Sequence, residues 1–197
     1  MISLIICANT NASENPLTNN EPLDKAVTRS FGQLEEPENR NIQHGRSFQS
    51  GQMAYYFGDY AKAVEHWQPL AEQGHVEAQA NLGWFYQMGL GVKTDLAVAF
   101  SWYQKAAKAG QAVAQNNLGV MYEQGLHVAK DNQQAVHWYQ QSAKNGYRFG
   151  QYNYAQQLDR QQQTDKANHW YIAAARQQVE AAIAILKQRN IQNWKTE

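Results

Sequence analysis

The segment from Leu82 to Gly110 recurs thirty-six residues later as Leu118 to Gly146, and this internal repeat constrains the fold more than any other feature. A fixed period of about 20 to 50 residues is typical of stacked supersecondary units, because a single unit cannot bury its apolar face alone. The sequence therefore predicts an array of repeats. The identical pairs include Asn81 with Asn117, Leu82 with Leu118, Gly83 with Gly119, Gly89 with Gly125, Asp95 with Asp131, Trp102 with Trp138 and Tyr103 with Tyr139.

The sequence of each repeat unit predicts two helices. In the first helix, Ala78, Leu82 and Phe85 follow the three-to-four spacing of a buried stripe, and the second copy preserves that spacing. Glycine-rich stretches at 89–92 and 125–128 then break the pattern, since glycine readily adopts the left-handed conformation that ends a helix. Aspartates follow these stretches at positions suited to cap the second helix. The sequence predicts antiparallel helix pairs.

Glycines and tryptophans at equivalent positions predict how the two helices pack. Gly83 and Gly119 lie inside first helices, where glycine costs about 1 kcal/mol relative to alanine, so we expect a second helix to approach closely there. Trp102, Trp138 and Trp170 recur on every second helix. Because a residue type that recurs on one face is typical of a core, these tryptophans are predicted to be buried.

The full array extends beyond the two clear copies. Degenerate copies flank them, and an amphipathic stretch with Val179, Ala182 and Leu186 follows the last one. Such a stretch is typical of a terminal capping helix. The sequence predicts one repeat domain over residues 46–197, with repeats at about 46–75, 76–111, 112–147 and 148–178 and a cap at 179–191.

The repeat pattern, Ala-x-x-Asn-Leu-Gly-x-x-Tyr-x-x-Gly-x-x-Val-x-x-Asp-x-x-x-Ala-x-x-Trp-Tyr, resembles that of the SEL-one-like repeat (SLR) family, a branch of the tetratricopeptide superfamily. The resemblance covers about residues 46–178. It implies an all-α fold, a right-handed α-solenoid of antiparallel helix pairs, used as an adaptor or scaffold for other proteins. It implies no particular partner.

Residues 1–45 differ from the repeats in composition. Between Asn9 and Gln43 they are rich in Asn, Glu and Pro and lack sustained periodicity, which favours a disordered tether. The apolar start at 2–8 suggests the remnant of a secretory signal, or a lipid anchor at Cys7 with an unusually large Ile6 before it. We therefore expect a periplasmic or secreted protein, with a cytoplasmic location as the alternative and no transmembrane segment.

Charge and motifs exclude several functions. The formal net charge is zero and the cations are scattered along the chain, whereas nucleic-acid binding requires a basic patch, so no nucleic-acid partner is predicted. Cys7 is the single cysteine, which allows no disulfide within the chain. The six histidines follow no metal-ligand spacing, and no nucleophile elbow or phosphate loop occurs. The sequence predicts no catalytic, metal or cofactor site.

The predicted binding surface is the groove lined by first helices, for a protein or an extended peptide. Trp84 and the tyrosines resemble binding anchors, and amides can bond a peptide backbone. Alternatively, the asparagines that recur every thirty-six residues brace neighbouring helices. Met88 lies on the same wall. The predicted partner-binding residues are Tyr55, Tyr56, Asn81, Trp84, Gln87, Asn117, Gln124, Tyr152 and Asn153.

Three functions are compatible with such a groove. The first is a non-catalytic scaffold or adaptor in the bacterial cell envelope, favoured by the repeats and the signal-like start. The second is an immunity or inhibitor protein that neutralises a secreted toxin or hydrolase. The third is a hydrolase directed at the cell wall or an antibiotic, an activity attributed to disulfide-rich members of the resembled family. The missing cysteine pairs count against the third.

Overall fold

The computed structural model describes the backbone of residues 40–195 and the side chains of residues 47–195. Residues 40–45, predicted as the end of the tether, belong to the first helix. The rest of the predicted tether lies outside the described residues. The signal-like start at 2–8 and Cys7, the residue of the lipid-anchor hypothesis, also lie outside the described residues.

The described chain consists of helices, with no strand between residues 40 and 195. Four antiparallel pairs are followed by one C-terminal helix, so the predicted all-α solenoid of about four repeats with a cap is confirmed. The first helices of the pairs are α1, α3, α5 and α7. The bounds are α1 Arg40–Tyr56, α2 Tyr60–Glu72, α3 Val76–Met88, α4 Leu96–Lys108, α5 Ala112–Gln124, α6 Asn132–Lys144, α7 Arg148–Arg160, α8 Thr164–Arg176 and α9 Glu180–Gln188.

Packing between helices is sequential. From α2 onward, each helix packs against the next one along the chain. Successive first helices also contact each other, α3 with α5 and α5 with α7, whereas successive second helices in the described chain make no comparable contact. The first helices therefore form the inner layer of the array and the second helices form the outer layer.

The turns between paired helices form as the sequence predicts. Gly89 and Gly125 end α3 and α5 with φ of 73°, in the left-handed region. Asp95 begins α4 by accepting hydrogen bonds from the amides of the next helical turn at 2.9 and 3.0 Å, and Asp131 does the same for α6. Both predicted caps are confirmed.

The helical glycines provide the close approach that the sequence predicts. A Cβ at Gly83 would lie 2.6 Å from the ring of Tyr103, and one at Gly119 would lie 2.7 Å from the ring of Tyr139. Each ring of the second helix therefore rests directly on the backbone of the first helix.

The tryptophan core predicted from the repeats is wrong in part. Trp102 is buried at 7% exposure, but Trp138 and Trp170 are only partly buried. The central positions belong to the tyrosines that follow them, with exposures of 0%, 1% and 2% for Tyr103, Tyr139 and Tyr171. Adjacent helical residues point about 100° apart, so only one residue of each Trp-Tyr pair can face the first helix of its own pair.

Buried glutamines join α2 to α3 and α4 to α5. Gln79 Nε2 donates to the Ala71 carbonyl at 3.0 Å, and Gln115 Nε2 donates to the Ala107 carbonyl at 3.1 Å. Asn145, at the end of α6, extends the link within the third pair by donating to Gln115 Oε1 at 2.9 Å. Because a buried amide without a partner destabilises the fold, these bonds fix the register between neighbouring repeats.

Replacing Tyr139 by alanine should cost about 3 to 5 kcal/mol of unfolding free energy, because it leaves a cavity against Gly119. Trp138→Ala should cost less, about 2 kcal/mol, since part of that side chain is already exposed. Urea unfolding monitored by circular dichroism measures the loss of unfolding free energy in both variants. Equal losses, or a larger loss for Trp138, would contradict this assignment of the core.

Gly119→Ala should destabilise the array by about 1 to 3 kcal/mol, because the added methyl group meets a buried ring that has no room to move. At an ordinary helical glycine the same change stabilises by about 0.5 to 1 kcal/mol. Thermal melting shows whether Gly119→Ala raises or lowers the melting temperature. Ser101→Ala, at an exposed position of α4, is the control and should leave melting nearly unchanged. A melting temperature raised by Gly119→Ala would refute the close approach.

Candidate partner-binding face

Apolar side chains are exposed at one end of the first-helix layer. Among the described residues the exposed large hydrophobic side chains are Tyr56, Phe57 and Met88, with 65%, 74% and 42% exposure. They lie where α1 and α3 end. Met88 is one turn after Trp84 and so shares its face of α3. With Tyr55 and Trp84 these three residues form a patch that we name the aromatic end.

Tyr55 and Trp84 attach the aromatic end to the core. Their ring centroids are 5.7 Å apart with an edge-on arrangement, and each lies within 6 Å of Phe85, at 5.9 and 5.5 Å. Burial, and then the nearby Tyr60, raise the pKa of the Tyr55 hydroxyl. These contacts hold both rings rigidly. Since Trp84 takes part in this packing, Trp84→Ala affects stability as well as the surface.

The recurring asparagines hydrogen-bond within the protein. Asn153 Nδ2 donates to Asn116 Oδ1 at 2.8 Å, and Asn116 Nδ2 donates to Asn117 Oδ1 at 3.4 Å. The Asn117 side chain also hydrogen-bonds the Tyr103 hydroxyl. Asn81 is buried, and its Nδ2 has no partner among the described residues. Of the two roles that the sequence allows, bracing of neighbouring helices accounts for Asn117 and Asn153.

A second row of hydrogen bonds joins the core tyrosines to the ends of the first helices. Each tyrosine hydroxyl donates to a side-chain oxygen, and the accepting residue occupies the same position in each repeat. Gln87 is therefore occupied by an internal bond. Burial raises the pKa of Tyr103 and of Tyr171 above the ordinary value. The bonds are Tyr103 to Gln87 at 2.8 Å, Tyr139 to Glu123 at 2.8 Å and Tyr171 to Asp159 at 3.0 Å.

Glu123 is the centre of a charged network between repeats. Its Oε1 accepts from Arg160 at 2.6 Å and from Gln157 at 2.8 Å, while Oε2 accepts from Tyr139. Burial alone would raise the pKa of Glu123, but the hydrogen bonds from Arg160, Tyr139 and Gln157 and the charge of Arg160 lower it. The carboxylate is held in its charged form.

The remaining predicted residues extend the face toward the C-terminal repeats. Gln124 is exposed at the position equivalent to Met88 and Tyr56. Tyr152 is partly buried and accepts a hydrogen bond from Gln156 at 2.9 Å. The face thus changes from aromatic in the first two repeats to amide-rich in the last two.

The structure brings three of the predicted residues, Tyr55, Tyr56 and Trp84, together in the aromatic end. Phe57 was missed because it follows the end of α1, where the helical period gives no signal. Asn116 was missed because Ala80 stands at its equivalent position, so no repeat marks it.

None of the helices in the described chain is both long and apolar enough to span a lipid bilayer. Within residues 47–195, no three His, Cys, Asp or Glu side chains are placed so that they could hold a metal ion.

The lowered pKa of Glu123 predicts a loss of stability in acid. Its contribution is complete above the ordinary glutamate value of about 4.3 and is lost as the pH falls through the lowered value. The difference in unfolding free energy between wild type and Glu123→Gln should therefore shrink between about pH 5 and pH 3. Urea titrations at several pH values measure it. Glu65→Gln, on the exposed side of α2, is the control. A difference that is constant with pH would contradict the prediction.

Comparison with known proteins places the repeats in a family. The Sel1 repeat family matches residues 43–75, 76–111, 112–147 and 147–179. A search of curated proteins found no match. Among solved structures, a Sel1 repeat protein from Oxalobacter formigenes is similar, with 31% identity and a TM-score of 0.65 over 71% of this chain and 59% of that chain.

A protective antigen of uropathogenic Escherichia coli with an SLR fold is also similar, with 31% identity and a TM-score of 0.64 over 71% of this chain and 32% of that one. The chain thus spans less than two thirds of either protein. An immunity protein from Pseudomonas aeruginosa shows 19% identity and a TM-score of 0.42 over 75% of this chain and 70% of that one, too distant to inform function. Sel1 repeats indicate a protein–protein interaction scaffold. The four matched repeats show that the chain belongs to the Sel1 repeat family, as its resemblance to SLR proteins predicts.

Proposed function

We propose that the chain is a non-catalytic scaffold that holds a polypeptide partner on its first-helix layer, with the aromatic end as the main contact. One observation carries this proposal. The exposed large hydrophobic side chains of the described residues, Tyr56, Phe57 and Met88, lie at one end of that layer. A cluster of exposed apolar side chains is typical of an interaction site.

The aromatic end has the features of a binding anchor. Tyr and Trp dominate binding energy at interfaces when they are held rigidly, and Tyr55 and Trp84 are fixed by ring contacts with each other and with Phe85. Tyr56 and Phe57 stand beside them with ring centroids 5.4 Å apart. A partner's apolar side chain would therefore meet a surface that loses little entropy on binding.

The charge of the first-helix layer favours an uncharged segment of the partner. Over residues 47–160 the first helices carry Glu77, Glu123, Arg148, Asp159 and Arg160 as charged residues, and Asp159 pairs with Arg189 at 2.6 Å. Glu123 is neutralised by Arg160 at 2.6 Å. An extended apolar segment with polar backbone groups would match the aromatic end first, and Gln124, Tyr152 and Asn153 further along. The proposal does not depend on Asn81, Gln87 or Asn117.

The cell envelope is the location we propose, in bacteria. The support is the apolar, signal-like start at 2–8, which lies outside the described residues. The partner would then be an envelope protein.

Site-specific photocrosslinking in cells tests partner, face and location together. A benzoyl-phenylalanine at Tyr56, Phe57 or Met88 should crosslink one predominant polypeptide, recovered from the envelope fraction. The same probe at Ser101 or His137, exposed on the outer helices α4 and α6, is the matched control and should not. Crosslinks that are equally strong from Ser101 and His137 would refute the proposed face. A single toxin or hydrolase at equal stoichiometry would instead favour the inhibitor alternative.

The variant Tyr56→Ser with Phe57→Ser separates binding from folding, because both side chains are largely exposed. We expect the crosslink from Met88 to be lost while thermal melting stays nearly unchanged. Gln124→Ala, at the equivalent position of the third repeat, is the comparison variant and should reduce crosslinking less. An undiminished crosslink from Met88 in the serine variant would mean that the aromatic end is not the anchor.

A further inference from the structure

Cations collect along the edge of the array where the second helices end. Lys108, Lys144 and Arg176 are the last residues of α4, α6 and α8. They lie thirty-six and thirty-two residues apart, at equivalent positions of successive repeats, and all three are exposed. Lys105 lies one turn earlier on α4, over the Trp102 ring at 4.0 Å. We name these four residues the basic edge.

Hydrogen bonds between turns bring the basic edge together. Asn145, which follows Lys144, donates to the Gly110 carbonyl at 3.1 Å, two residues after Lys108. Gln177, which follows Arg176, donates to the Gly146 carbonyl at 3.0 Å. The turns that carry the cations are therefore in direct contact. Cations that are far apart in the sequence form one row in the structure.

Few carboxylates lie along this edge from α4 onward, whereas the turn between α2 and α3 carries Glu72 and Glu77. The stretches 105–114, 141–150 and 173–182 contain Glu180 as their one acidic residue. At the opposite edge, by contrast, Glu123 pairs with Arg160 and Asp159 pairs with Arg189, each at 2.6 Å. Within residues 47–195 no carboxylate pairs with Lys108, Lys144 or Arg176. The edge therefore carries uncompensated positive charge although the whole chain is formally neutral.

Stabilisation of helix ends does not account for the whole row. A cation in the last turn does interact favourably with the helix dipole. However, α2 carries Glu72 at the position equivalent to Lys108, has no basic residue in its last turn, and still forms thirteen helical residues. The fold tolerates the opposite charge at this position, so the row exceeds what the helices require.

We propose that the basic edge binds an acidic, extended polypeptide segment of another protein. A polypeptide fits better than a nucleic acid, because single strands are bound by cations together with exposed rings that stack the bases. The most exposed rings, Tyr56 and Phe57, lie at the other edge, Trp102 is buried, and Tyr147 and Phe149 near Lys144 are only partly exposed. This surface is separate from the aromatic end, and the proposal does not depend on the function proposed for that patch.

Fluorescence anisotropy with the full chain tests the proposal. The probe is a labelled peptide of about ten alternating Glu and Ser residues, long enough to span neighbouring turns. The matched probe replaces Glu by Gln. We expect binding of the Glu peptide that weakens with added salt and falls about tenfold in the triple variant Lys108→Gln, Lys144→Gln, Arg176→Gln. The control triple variant, Lys62→Gln, Lys93→Gln, Lys130→Gln, removes three exposed cations elsewhere and should change binding less than about twofold.

Several results would overturn the proposal. These are equal losses in the two triple variants, equal binding of the Glu and Gln peptides, and tighter binding of an oligothymidine than of the Glu peptide. In sedimentation of the wild type, an apparent mass that grows with protein concentration would show self-association. If the double variant Glu72→Gln, Glu77→Gln abolished that self-association, the basic edge would bind a second copy of this chain instead.

A direct mapping does not depend on how the variants fold. Zero-length carbodiimide crosslinking of the Glu peptide to wild type, followed by mass spectrometry, should modify Lys105, Lys108 and Lys144. Modification spread evenly over Lys62, Lys93 and Lys130 would reject the basic edge.

Discussion

The first three helix pairs depend on one contact, a large ring of the second helix seated on a glycine of the first. Tyr103 rests on Gly83 and Tyr139 on Gly119, so close that a Cβ would overlap the ring. The same side chain then extends its hydroxyl to an acceptor at the end of the first helix, Glu123 in the case of Tyr139. Apolar burial and a directional hydrogen bond thus come from one residue. This combination fixes the distance between the paired helices and the rotation of one against the other.

Local features of the fold follow from the sequence because they depend on nearby residues. The positions of Gly89, Asp95 and Gly119 predict a helix end, a helix start and a close approach, and all three are confirmed. Trp138 was assigned to the core for the same periodic reason, but a period of thirty-six cannot tell it from its neighbour Tyr139, which recurs equally often. The choice between them depends on the rotation of α6, which tertiary packing decides.

Features of the candidate surfaces are predicted less well from the sequence, because they depend on contacts between repeats. Asn117 and Asn153 recur as a ladder, yet their amides are engaged through Asn116, which has no counterpart in the second repeat. Likewise, Lys108 and Lys144 stand far apart in the chain and become neighbours only when turns stack. Burial of Asn81 could not be predicted either, because its position depends on how α3 packs against adjacent helices.

The links between turns, such as Gln115 to Ala107 and Asn145 to Gln115, connect nearest neighbours only. In an array of this kind each module is secured by the two beside it, so loss of order can begin at a terminus and stop before the centre. The aromatic end belongs to the first two modules, whereas the basic edge begins in the second with Lys105 and Lys108 and continues into the third and fourth with Lys144 and Arg176. Fraying from the N-terminal side would therefore disorder Tyr55, Tyr56 and Phe57 while Lys144 and Arg176 keep their places, so the two proposed surfaces would lose order at different rates.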